Sequence, residues 1–138
     1  MQKLMLFVFS IYAFAVSAEP NTTKDLYIAS YIKSMTPLLR KNVMNRMPDL
    51  SLNDLNLIVT TTTEQMADCS YYSIADYPER YRNLSISTIS QGVNVFESAA
   101  QVEALMQSDI EAGTITPEKV VSLVEDANEK IALCMEGL

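Results

Sequence analysis

From Ile28 onward the apolar residues of this chain recur at steps of three and four, the spacing that puts side chains on one face of a helix. Ile28, Ile32, Met35, Leu39, Val43 and Met47 make the first stripe. Leu52, Leu55, Val59, Thr62, Met66 and Cys69 make the second, and Val95, Ala99, Val102, Met106 and Ile110 make a third. The last, Val120, Val124, Ala127, Ile131 and Cys134, is the most regular. Three glycines in 138 residues argue against a fold built from many tight hairpins. The pattern predicts an all-α fold, a single small bundle of four to six helices.

The residues between the stripes supply starts and stops. Ser51 with Asp54 three positions on, Asp76-Tyr77-Pro78-Glu79 and Thr116-Pro117-Glu118 each resemble helix starts, while Gly92 and Gly113 resemble stops. Ile115 is placed to staple onto Val120 across the last start. Thr36-Pro37 falls inside the first stripe and predicts a kink there, or a break with Thr36 capping a new helix. Thr60 to Thr63 and the alternating Leu84 to Ser87 suit strands as well as helices. If both were strands they would pair, and the alternative is an α+β domain with a short hairpin.

Ahead of these stripes, Lys3 precedes an apolar run from Leu4 to Val16 that ends in Val16-Ser17-Ala18. That run is short for a membrane span, which needs about 20 apolar residues, and suits a signal peptide over residues 1–18. The expected mature chain, residues 19–138, is one exported helical domain, secreted or periplasmic, with no membrane association after cleavage. Losing Lys3 takes the formal charge from −7 to −8. Such a field disfavours nucleic acid. Glu97 to Leu138 concentrates the acidity, with nine acids against Lys119 and Lys130, whereas Lys33, Arg40, Lys41 and Arg46 stand in an acid-free stretch. The expectation is that this basic stretch packs near the acidic last helix; the alternative is a docking site for an anionic partner.

Cys69 and Cys134 each fall on an apolar stripe, and they are the only cysteines in the chain. Two inward-facing thiols in an exported protein are expected to form a disulfide. A redox-active pair is not suggested, since there is no Cys-x-x-Cys spacing and no histidine.

The absence of histidine removes Ser-His and Cys-His nucleophile pairs and the commonest transition-metal ligand. Ser30 with Lys33, the acid pairs Glu64/Asp68 and Glu125/Glu129, and Met44 with Met47 have spacings that catalysis or copper binding can use. The same spacings arise on any helix face, and the methionines are expected to fill the core. No catalytic residue, metal or cofactor is therefore assigned. The densest unusual segment is Tyr71 to Arg82, where four Tyr and two Arg fall within twelve residues. Tyr71, Tyr72, Tyr77, Arg80, Tyr81 and Arg82 have the composition of a protein-binding hot spot, the alternative being rings that cover a helix corner. The functional expectation is a non-catalytic module that binds another protein; the alternative is a carrier of a small apolar ligand.

Overall fold

The computed structural model describes residues 22–137; the expected signal peptide and its cleavage point lie outside the described residues. Five helices follow in order: α1 Thr23–Arg46, α2 Leu52–Ser73, α3 Glu79–Ser90, α4 Val95–Glu111 and α5 Pro117–Glu136. No strand occurs among the described residues, so the all-α expectation holds and the hairpin alternative falls.

The polar residues of the ambiguous stretches find partners within their own helices. The fully buried Thr63 donates its hydroxyl to the Val59 and Thr60 carbonyls at 2.8 and 3.1 Å, and Thr88 does the same to Leu84 at 2.8 Å. A β-branched side chain that satisfies itself on the preceding turn can be buried in a helix, and packing then outweighs its strand preference.

Two of the three expected starts cap through a side chain, while α3 begins at Glu79 with Pro78 at its N-cap and no side-chain cap bond. Ser51 accepts from the Asp54 N–H and Thr116 from the Lys119 N–H. Gly92 and Gly113 follow α3 and α4 with φ of 88° and 70°, a conformation that costs other residues a Cβ clash. Pro37, by contrast, does not break α1, which runs through it for 24 residues. Thr36 caps nothing there; its hydroxyl donates to the Ile32 carbonyl at 2.7 Å. Pro37 lies on the exposed side, where the carbonyl deprived of its donor is open to water.

α1 packs against α2 and α3, α4 lies on α3, and α5 returns to α2. The main core joins Tyr27 and Tyr31 of α1 to Ala67 of α2 and Ile89 of α3. A second cluster, Val43 with Leu55 and Val59, belongs to the far end of the α1–α2 pair alone. A third, Tyr81 with Val102 and Met106, binds α3 to α4, and Ile115 and Val120 pack onto it from the last turn.

Cys69 and Cys134 form the expected disulfide, pinning the end of α5 to α2 across a sequence separation of 65. Cys69 is buried, while Cys134 sits at the exposed edge of α5. On the chain-entropy model a loop of this length stabilises the fold by roughly 4 kcal/mol.

Two expectations about faces are corrected. The basic residues of α1 do not pack near α5: none of Lys33, Arg40, Lys41 and Arg46 joins an ion pair among the described residues, and Arg40 donates to Asn56 at 2.6 Å instead. α1 and α5 lie against different faces of the bundle, so the charges do not meet. Nor do all the methionines fill the core. Met106 does, but Met44 and Met47 are exposed near the end of α1.

Candidate functional site

The Tyr71 to Arg82 segment connects α2 to α3, and each of its six singled-out residues has a partner within the fold. Tyr71 is half-buried with its ring edge-on to Tyr27 at 5.2 Å. Tyr72 is 57% exposed; its hydroxyl accepts from Lys24 Nζ at 2.8 Å, and the same ammonium lies 4.5 Å from the ring centre and 3.0 Å from Asp68. The hydrogen bond to Tyr72, with that to Asp68, holds the Lys24 pKa above the usual lysine range. Arg82 Nη1 donates to the Ala75 carbonyl at 3.0 Å, tying the connection to its own helix.

Tyr77, Arg80 and Tyr81 face α4. Tyr81 is only 2% exposed, and its hydroxyl donates to Asp109 Oδ2 at 2.5 Å. Arg80 Nη1 donates to Asp109 Oδ1 at 2.7 Å, so one buried carboxylate is shared by two donors. Burial first, then the bond to Asp109, raises the Tyr81 pKa above the ordinary phenol value. Tyr77 is half-buried against the same cluster, and burial raises its pKa also. Asp76 is ion-paired with Lys130 of α5, which lowers its pKa. The segment thus latches α3, α4 and α5 to α2, and of the six singled-out residues Tyr72 and Arg80 are exposed.

The other sequence candidates remain apart. Asp68 is taken by Lys24, whereas Glu64, Glu125 and Glu129 lie on exposed helix faces. Ser30 and Lys33 sit on α1, away from any buried acid. Among the described residues no three His, Cys, Asp or Glu side chains come together as a metal cluster would. No helix among them is long and apolar enough to cross a membrane.

What the stripes do not announce is a groove. α4 leans on α3 and α5 on α2, and these two successive helices touch at most marginally. Between them runs a half-open groove of about 210 Å³. Val95, Ala99, Val102 and Met106 form the α4 wall, Val124, Ala127 and Ile131 the α5 wall, and Tyr27 and Ile89 part of the floor. The space exists because the facing positions are small: Ser70, Ser73, Ser85, Ser98 and Ala127 leave it where larger side chains would close it. At the turn between the two helices Ile115 and Val120 pack on the Val102 and Met106 cluster.

The polar atoms of the floor are already engaged. Ser98 and Thr88 share a hydrogen bond at 2.6 Å, Tyr27 and Ser70 share one at 3.0 Å, and Ser73 donates to the Ser70 carbonyl at 2.8 Å. No buried side-chain N or O among the described residues lacks a partner. The buried floor of the groove therefore presents paired hydroxyls and apolar carbon, a surface suited to aliphatic side chains.

The class defined by this geometry is a five-helix, disulfide-linked domain with an apolar groove between its last two helices. No family model, curated protein or solved structure matches the chain.

Proposed function

We propose that this chain is an exported, non-catalytic module that binds another protein, and that its binding surface is the α4–α5 groove. The observation that carries this reading is the groove itself, an apolar trough between two helices whose buried polar atoms are all paired internally. The apolar run over residues 4–16 and the disulfide both support export to an oxidising compartment, secreted or periplasmic. The chemistry open to a histidine-free chain with dispersed acids supports binding over catalysis.

Carriage of a small apolar ligand is the second reading, favoured by the same apolar walls. About 210 Å³ of half-open space lies below the range of roughly 300–1,000 Å³ that encloses a drug-sized ligand. A half-open trough suits a partner's side chains better than an enclosed molecule.

The test places a photo-crosslinking amino acid at Ala99 in the groove, and at Asn53 on the exposed start of α2 as a control, in cells that make the protein. A protein adduct formed from position 99, absent from position 53 and lost with Val124→Glu is the expected result. Adducts of equal yield from both positions, or a lipid as the only adduct from position 99, would overturn the reading.

A further inference from the structure

We infer that the occupant of the α4–α5 groove is a cationic amphipathic helix of a partner protein; the inference rests on the protein-binding reading above and specifies its partner. Length is the first argument. The α4 wall runs from Val95 to Met106, about 16 Å at the α-helical rise, which matches three turns of a docked helix. A helix that places apolar residues at i, i+4 and i+7 on one face can set them over the small lining residues Ser98, Ala99 and Ala127.

The second argument is charge. The two helices that wall the groove carry nine acids against Lys119 and Lys130, and Lys130 is already engaged by Asp76. Asp109 is paired internally with Arg80, whereas Glu103 belongs to the groove lining and Glu125 adjoins Val124 on the α5 wall. An apolar trough in such a field repels an acidic helix and draws a basic one, with Lys or Arg beside the apolar face reaching the acids on either wall. Phe96 beside Val95, and Val121 one turn before Val124, add exposed apolar surface next to the trough, which extends the area a helix can cover.

The floor chemistry argues against a polar small molecule. Its buried hydroxyls are spent within the fold, and no charged group converges on the centre. What it offers is shape and apolar contact, with charge confined to the walls.

The experiment uses the signal-less chain with its disulfide intact and two synthetic helical peptides of about three to five turns. Both carry the same Leu and Ala face; one has Lys on the polar face and the other Glu. Binding is followed by fluorescence anisotropy and by methyl chemical shifts of the protein. The Lys peptide is expected to bind about tenfold or more tighter than the Glu peptide, to weaken as salt rises, and to shift Val102, Val124 and Ile131. Ala99→Trp, which fills the trough from a position with room, should abolish binding, and Glu103→Lys with Glu125→Lys should reverse the preference while leaving the apolar walls intact.

Equal binding of both peptides in the groove would overturn the cationic partner while leaving the protein-binding reading standing. Lys-peptide binding that survives Ala99→Trp would locate the attraction in general acidity and overturn the inference. Groove shifts produced by dodecanoate and by neither peptide would overturn the inference and the protein-binding reading together.

Discussion

Replacing Asp109 tests whether the polar latch between α3 and α4 holds the groove wall in place. The carboxylate is 6% exposed and accepts from Tyr81, itself buried, and from Arg80. Asp109→Ala removes two charge-assisted hydrogen bonds and strands the Tyr81 hydroxyl in the core. Hydrogen bonds to a charged group contribute roughly 1.5–3 kcal/mol, and a buried unpaired hydroxyl costs about 1–3 kcal/mol. Because half of the Arg80 side chain stays in water, its share is discounted. The expected loss is about 3 kcal/mol. Tyr81→Phe leaves Asp109 bound to Arg80 and should cost about 1 kcal/mol. In the double variant no hydroxyl is stranded, so its loss should fall short of the sum of the singles by about 1–2 kcal/mol. Urea unfolding of the four proteins gives the cycle, provided the slope with denaturant stays constant. Additive losses, or a single-variant loss below about 0.5 kcal/mol for Asp109→Ala, would refute the shared-carboxylate argument.

Three further outcomes follow from the fold. Removing both cysteines, as Cys69→Ala with Cys134→Ala, should lower stability by roughly 4 kcal/mol and raise hydrogen exchange first in α5; unchanged exchange in α5 would show that packing on α2 alone holds it. Pro37→Ala restores a backbone donor inside α1 and should raise the urea midpoint by an amount equivalent to about 1–3 kcal/mol, whereas a lower midpoint would show that the ring's restriction of the unfolded chain matters more. Burial pushes the Tyr27 pKa up to about 12 and raises those of Tyr31, Tyr77 and Tyr81, so the folded state holds these protons more tightly than the unfolded chain does at about 10. Their contribution is therefore complete below about pH 10 and is lost as the pH climbs above it, that of Tyr27 through about 12; stability that stays level above pH 10 while phenolate absorbance grows would contradict this.

Much of the architecture is legible in the sequence because local chemistry specifies it. Ser51 and Thr116 cap where their spacing to Asp54 and Lys119 requires, Gly92 and Gly113 end helices, and the two cysteines meet. Facing directions are less legible. Ser98 and Asp109 are interior positions of α4 because Thr88, Arg80 and Tyr81 satisfy them, partners that only the tertiary arrangement supplies. On α5 the neighbours Leu123 and Val124 are equally apolar, yet Leu123 is core while Val124 is 40% exposed along the groove. The tyrosines are conspicuous as a composition, but their division between latch and surface depends on what lies across from each ring. The groove was the least legible feature, since it arises from side-chain volume missing at positions on four helices at once. The one sequence signal that could have indicated it is the recurrence of Ser and Ala at inward positions: Ser70, Ser73, Ser98 and Ala127.

The disulfide also changes the connectivity of the molecule. With Cys69 joined to Cys134, the chain between them becomes a closed covalent ring that contains α3, α4 and nearly all of α5. A protease that cuts one peptide bond in either exposed turn of that ring, at Gly92 or at Gly113, opens the ring without dividing the molecule. A cut in the linker between α1 and α2 lies outside the ring and does divide it, freeing α1 from everything but non-covalent contact. The two helices that wall the groove thus stay attached to α2 after a single nick that would separate them in an open chain.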